Sequence, residues 1–313
     1  MPENFPSHYT TADAELIGRI QAWMAERSYT QAALARLARI SASSLNQILK
    51  GTYATPPAPL LRKVESAMRH ADETSQDVMA PVETSVYQLA VTACRMARTY
   101  RNFAVFTGFV GTGKTFALKH YARTNPNTHL IESTPTMTPQ SLVKLLAREV
   151  ASHDGRGSID DKFRAVVDAL RNTDSLLIVD EAETLTPHQL HTLRRLRDLS
   201  NVGIVLAGTE HLTGIIKPMH GQFDQIRSRT GFWPETVKEI TAEDAAALVQ
   251  AGFGAEEVPE EVVARMHKFA RGSARMLVEG LVSGIRAFRR GQPLTVKLVD
   301  AVARQVLCLQ SVA

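Results

Sequence analysis

Apolar positions in the first part of the chain recur at helical spacing in short blocks, and the pattern then changes twice. The opening blocks, Ala14 to Ala25, Thr30 to Arg39, Ser41 to Lys50 and Pro57 to Arg69, read as amphipathic helices, punctuated by Gly51 and the Pro56-Pro57 pair. A polar, acidic stretch with a proline, residues 71–83, follows and reads as a linker. From Val86 to about Gly231 continuous apolar runs alternate with longer helical stretches, as in a parallel sheet with crossover helices. The expected strands are Phe103 to Thr107, Thr128 to Glu132, Leu176 to Asp180 and Gly203 to Ala207, with a weaker one near Phe232. Helices are expected at Lys114 to Arg123, Pro139 to His153, Ile159 to Arg171 and Pro187 to Leu199. The remainder is helical again, at Ala242 to Ala251, Pro259 to Phe269, Ser273 to Arg289 and Val296 to Leu309. The boundaries predicted are an all-α domain at 1–70, the linker at 71–83, an α/β domain at 84–237 and a C-terminal helical domain at 238–313.

Composition narrows the class. With 313 residues and 44% hydrophobic content, the chain can bury a proper core. Cys94 and Cys308 stand far apart with no His/Cys cluster, so no disulfide framework or zinc site is indicated. No apolar run is long enough to cross a membrane, and the N-terminus lacks a basic-then-apolar leader; the expectation is a soluble, cytoplasmic protein with no membrane partner. The formal net charge is +4, but residues 261–313 carry nine Lys/Arg against three Asp/Glu. That tail either meets an anionic partner or presents a solvated basic face.

One segment carries sharper chemistry. Gly108-Phe109-Val110-Gly111-Thr112-Gly113-Lys114-Thr115 fits G-x-x-x-x-G-K-[ST] between an apolar strand and a helix, the context a phosphate loop requires. Its glycines let successive backbone N–H groups turn inward, and the helix N-terminus adds the positive end of its dipole. Gly108, Val110, Gly111, Thr112, Gly113, Lys114, Thr115 and Phe116 are therefore expected to surround the phosphates of ATP, with Lys114 reaching the β- and γ-phosphates. The run Leu176 to Val179 closes on Asp180 and Glu181. Asp180 and the Thr115 hydroxyl are expected to hold Mg²⁺, and Glu181 to act as general base, while Glu183 reads as solvated. Thr209, after the next strand, either hydrogen-bonds the γ-phosphate or the attacking water, or caps a turn.

The order of phosphate loop, acidic strand end, polar strand end, Ser228-Arg229 and a helical segment with Gly272-Ser273-Ala274-Arg275 resembles an AAA+ ATPase with a helical lid. The resemblance implies that Arg229, or alternatively Arg227, acts in trans on a neighbour's γ-phosphate, and that Arg275 senses the nucleotide in cis. Either arginine could equally be a surface ion-pair partner. Gln31 to Gly51 resembles the helix-turn-helix of phage repressors, with Ala35 at the helix contact, Ile40 in the turn and Leu45 and Ile48 inward. Ser41, Ser43, Ser44, Asn46, Gln47 and Lys50 are then the candidate DNA-contacting residues. Arg39 occupies the turn position that usually holds glycine, and because a left-handed backbone costs arginine more, the turn is expected to be reshaped. The alternative is a small bundle for protein contacts.

A helix-turn-helix ahead of an AAA+ domain of this size resembles the family of Mu B, TnsC and IstB transposition ATPases. That family implies ATP-dependent binding of double-stranded DNA with little sequence preference, a homo-oligomeric ring or filament, and recruitment and stimulation of a transposase. In such an assembly the DNA phosphates would meet the loop 133–138, including Thr136, with Lys144 nearby, and a helix bearing Arg194, Arg195 and Arg197, unless that helix is merely solvated. Two other readings stay open: an AAA+ loader or secretion-associated ATPase with a protein-binding N-terminal bundle, and a nucleotide-controlled transcriptional regulator. A helicase would need a second phosphate-loop domain, and the chain has one.

Overall fold

The computed structural model describes residues 6, 8–27, 29–76, 79, 81–152, 157–216, 224–289 and 291–309, which fall in two compact units, 1–80 and 81–313. In the first unit the helices are α1 (Thr11–Glu26), α2 (Gln31–Leu37), α3 (Ala42–Leu49) and α4 (Ala58–Gln76). Local chemistry starts three of them: the hydroxyls of Thr10, Thr30 and Ser41 accept the backbone N–H three residues on, and Asp13 returns the bond to Thr10. Leu16, Ile17, Ile20 and Trp23 of α1, Leu34 and Ala35 of α2, Leu45 and Ile48 of α3, and Leu61 and Val64 of α4 form one core.

Two expectations change here. The α2–α3 turn is not reshaped: Arg39 itself takes the left-handed backbone, φ 53°, and the Ile40 N–H closes onto the Ala35 carbonyl at 2.9 Å. Burial of Ala35 and Leu45 on either side of the turn supplies more than the roughly 1 kcal/mol that the left-handed arginine costs. Further on, α4 runs to Gln76, so the first half of the stretch read as a linker is helical; residues 77, 78 and 80 lie outside the described residues.

The second unit holds α5 (Ser85–Tyr100), β1 (Phe103–Thr107), α6 (Lys114–Thr124), β2 (Thr128–Glu132), α7 (Pro139–Ala151), α8 (Ile159–Leu170), β3 (Leu176–Asp180), a single 3₁₀ turn (Ala182–Thr184), α9 (Pro187–Ser200), β4 (Gly203–Gly208), α10 (His211–Ile216), α11 (Asp224–Arg227) and β5 (Thr230–Phe232). The end of the expected helix at His153 lies outside the described residues. The sheet order is β2-β3-β4-β1-β5, every pair parallel. Strands β1, β3 and β4 are buried at every position, which is why they read as unbroken apolar runs and not as alternation. Because all strands point the same way, the loops after β1, β3 and β4 gather at one edge, where ligands of open α/β sheets bind.

Helix α5 was not singled out from the sequence. It lies against β1 and β4, with Ala90, Ala93 and Ala97 buried, and its approach is so close that a Cβ on Gly203 would sit 2.2 Å from the Ala97 carbonyl oxygen. Gly203→Ala is expected to destabilise the unit by about 1–3 kcal/mol or more, read as a lower urea midpoint at unchanged slope. An unshifted midpoint would mean that the α5–β4 approach is looser than described.

After β5 come α12 (Ala242–Phe253), α13 (Glu260–Ala270), a helix that opens into wide π-type turns over Met276–Val282 before continuing as α14 (Ser283–Phe288), and α15 (Val296–Ala301) followed by a second π stretch, Val302–Val306. Both long helices read from the sequence are thus interrupted in winding, and the second ends at Val306, short of Leu309. Buried Asp244 ties these helices to α5: it accepts from the Ser85 N–H at 2.7 Å and the Ser85 hydroxyl at 2.5 Å, and closes a capping box with Thr241. In the basic tail, Arg265 and Arg304 face Asp300 and Arg289 pairs with Glu256, so part of its charge is spent inside the fold. Cys94 is buried, with its thiol pushed up to about 12, and Cys308 is exposed; neither forms a disulfide.

Candidate nucleotide site

The phosphate loop grows out of β1 and is pinned from both sides. The Gly108 N–H donates to the Gly208 carbonyl at 3.1 Å, and the Phe109 N–H to Val237 at 2.8 Å. Gly111 and Gly113 take left-handed backbones, φ 84° and 101°, and Gly113 caps α6, so the loop turns its amides toward the helix N-terminus. Within it the Thr112 hydroxyl donates to the Phe109 carbonyl. Thr115 is half-buried, while Val110 and Phe116 are exposed.

Lys114 is buried and its Nζ donates to the Gly108 and Phe109 carbonyls at 2.6 and 2.9 Å. Burial pushes its ammonium below the ordinary lysine range, and the fields of Asp180, Glu183 and Glu210 pull it back up. A cation is therefore held at the loop's centre by weak acceptors and surrounding carboxylates, free to turn to a stronger anion.

The acidic element sits at the ends of β2 and β3. Glu132 and Asp180 are register partners, the Ser133 N–H donates to the Asp180 carbonyl, and the Thr184 hydroxyl donates to Ser133 Oγ at 2.8 Å. Asp180 is buried; its Oδ1 accepts from the Glu181 N–H, and its Oδ2 is buried with no hydrogen-bond donor. Glu181 has a left-handed backbone, φ 54°, uncommon for a residue with a Cβ. Desolvation, then repulsion from Glu132, Asp180 and Glu183, raises its carboxyl above the usual range, the direction that suits a base. The Thr209 hydroxyl, at the end of β4, is also buried without a partner.

Glu183 is not the solvated residue expected from the sequence. Its Oε2 is buried and unpartnered, and a Cβ on Gly208 would lie 2.1 Å from it, so the missing side chain at 208 is what makes room for the carboxylate. The signal in the sequence was the pairing of the Asp180 to Glu183 acidic string with a glycine closing the neighbouring strand. Glu210, whose field also reaches Lys114, was likewise missed.

The C-terminal helices reach the loop through Ser273 and Arg275. The Arg275 N–H donates to the Gly111 carbonyl at 3.0 Å, and a Cβ on Gly111 would come within 2.3 Å of Ser273 Oγ. The Arg275 side chain is exposed, its Nε 4.0 Å from Glu279. Arg229 lies elsewhere: its carbonyl accepts from the Phe103 N–H at the start of β1, the strand's full length from the loop, or about 13 Å. It therefore cannot touch its own chain's phosphates. Arg227 is exposed.

Of the candidate DNA contacts in the second unit, Thr136, Lys144 and Arg195 are exposed, whereas Arg194 and Arg197 turn onto Asp198, so the arginines do not share one open face. In the first unit Ser41, Ser43, Gln47 and Lys50 are exposed, and Ser44 and Asn46 half-buried. The Ser41 hydroxyl donates to Ser44 Oγ, which leaves both partly engaged in capping α3.

A family model described as an AAA domain matches residues 97–216, and one described as helix-turn-helix matches residues 20–69. Together with the parallel sheet and the phosphate loop, they define a P-loop ATPase of the AAA class carrying a helix-turn-helix module. Within that class the chain is similar to curated transposition B proteins of the Mu type. It is 26% identical over 274 residues to the Mu-like prophage FluMu DNA transposition protein B of Haemophilus influenzae, spanning 84% of this chain and 94% of that one. It is 33% identical over 132 residues to the ATP-dependent target DNA activator B of Escherichia phage Mu, a match that spans 42% of each chain. Among solved structures, the RuvB Holliday junction branch migration motor of Thermotoga maritima aligns over 71% of this chain and 68% of its own, at 17% identity and a TM-score of 0.49.

Proposed function

We propose that this chain binds double-stranded DNA as an ATP-dependent oligomer or filament, hydrolyses ATP with Mg²⁺, and recruits and stimulates a transposase. The observation that carries the reading is the likeness, over 84% of this chain, to a protein named DNA transposition protein B, in a chain whose phosphate-loop lysine lies in the field of Asp180, Glu183 and Glu210.

Each residue then has a task. Lys114 leaves the Gly108 and Phe109 carbonyls for the β- and γ-phosphates, and the loop amides from Val110 to Phe116 donate to the phosphate oxygens, those of Gly108 and Phe109 being held by Gly208 and Val237. Asp180 Oδ2, an acceptor-only oxygen buried without a donor, fits a cation, so Asp180 and the Thr115 hydroxyl would hold Mg²⁺, which neutralises phosphate charge when bound. Glu181 takes the proton of the water that attacks the γ-phosphorus, giving ADP and phosphate. Thr209 donates its hydroxyl to the γ-phosphate or that water, Arg275 reads the nucleotide from the lid, and Arg229 completes a neighbour's site. Because Arg229 lies at the far sheet edge, turnover would require assembly. The exposed polar residues of α3 would contact DNA, and Thr136, Lys144, Arg194 and Arg195 would add phosphate contacts.

Negative-stain microscopy with ATP and random-sequence duplex tests this. Filaments coating the DNA are expected, with an affinity that falls steeply with salt and changes little with sequence. Discrete dimers on one sequence would overturn the reading in favour of a transcriptional regulator, and a shallow salt slope would remove the phosphate contacts.

A further inference from the structure

Arg229 is not loose at the sheet edge. Its Nε donates to Asp198 Oδ1 at 2.9 Å and its Nη1 to the Gln225 carbonyl at 2.8 Å. Two bonds, one at Nε and one at Nη1, fix the plane of the guanidinium, and the Nη2 donors are claimed by no hydrogen bond among the described residues. Asp198 itself is held. Arg197 Nη1 lies 3.2 Å from its Oδ1 while Arg197 Nε is anchored on the Arg101 carbonyl, and Arg194 Nη1 faces Oδ2 at 4.0 Å. One carboxylate thus serves three arginines, and only Arg229, in the turn between α11 and β5, lies outside α9.

Asp198 stands near the C-terminal end of α9, whose other end begins beside the acidic strand end. Thr186 and Gln189 form the capping box there, and the fully buried Gln189 donates to the Met137 carbonyl in the loop after β2. Leu190, Leu193 and Leu196 lock the helix into the core along its length, about 21 Å for its fourteen residues. A rigid rod therefore joins the chain's own Asp180–Glu181 edge to the group that grips Arg229.

We propose that Asp198 is the positioning residue of the trans-acting arginine: through Nε it fixes the direction in which the free Nη2 of Arg229 points, and α9 couples that aim to the chain's own nucleotide site. The inference rests on the trans role of Arg229 proposed above. An ion pair that merely stabilised the surface would be worth little and would not be tied to a second site.

The test uses the full chain assembled on DNA with ATP, reading kcat and KM for hydrolysis and nucleotide affinity with a fluorescent ATP analogue. Arg229→Ala is expected to lower kcat roughly a thousandfold. Asp198→Asn should lower it about ten- to hundredfold, as misplacement of a reacting group does, with KM and nucleotide affinity within about twofold of the parent. Asp198→Glu, which restores the charge, should recover most of the loss. The double variant Asp198→Asn/Arg229→Ala should be no slower than Arg229→Ala alone, because Asp198 acts through Arg229. In mixed assemblies, Glu181→Gln subunits, which keep their own Arg229, should restore hydrolysis by Asp198→Asn neighbours. Parental kcat in Asp198→Asn, an additive loss in the double variant, or no rescue on mixing would overturn the positioning role. Parental kcat in Arg229→Ala would instead overturn the trans arginine itself. If a circular-dichroism melt shows that Asp198→Asn folds poorly, Asp198→Ser is read by the same two comparisons.

Discussion

Lys114→Ala is expected to weaken ATP binding by at least about a hundredfold, since it removes a charge-assisted contact to two phosphates worth roughly 3 kcal/mol. The geometry makes this the largest single effect on binding. The ammonium is buried at the centre of the loop and already held near Asp180, Glu183 and Glu210. Without Lys114 the three acidic groups are left facing the phosphates, and repulsion adds to the lost attraction. The measurement is the rise in melting temperature on adding ATP, clear in the parent and expected to vanish in the variant, together with loss of ATP-dependent assembly on DNA. A variant that still melts higher with ATP would mean that the lysine is structural, bonded to its two loop carbonyls and nothing more.

Glu181→Gln should separate binding from turnover. Removing the base is expected to slow hydrolysis by about a hundred- to ten-thousandfold. Nucleotide affinity should hold or rise, because Glu181 is one of several carboxylates crowded with Glu132, Asp180 and Glu183, and neutralising it lowers the negative field that ATP meets. The expected readout is an ATP-bound oligomer that persists on DNA after dilution, where the parent disassembles. Unchanged single-turnover hydrolysis would pass the role of base to another group, and Glu183, with its buried unpartnered oxygen, is the nearest carboxylate to test next.

The strands were legible for a definite reason. Phe103–Thr107, Leu176–Asp180 and Gly203–Gly208 are buried on both faces, so each had to be an unbroken apolar run, and each ends where the chemistry begins. Helix α5 was harder to see, because after Val86 its buried face is three alanines and one cysteine, small residues set by how closely it approaches β4 and not by hydrophobicity. Strand β5 is three residues at an edge and gave only a weak signal. Arg39 misled because propensity weighs a residue alone, whereas the packing of Ala35 against its neighbours decides the turn.

Local chemistry written in consecutive residues therefore came from the sequence: the phosphate loop, the carboxylates closing an apolar strand and the helix-turn-helix spacing. Tertiary structure alone decided which distant side chains share a field or a bond. It turned Glu183 inward against a glycine of another strand, set Arg229 at the edge of the sheet far from its own nucleotide site, and gave it Asp198 as a partner. The physical reason is separation: a motif is a statement about neighbours in the chain, while the charge a group feels depends on strand order and helix packing, which bring together residues that no spacing relates.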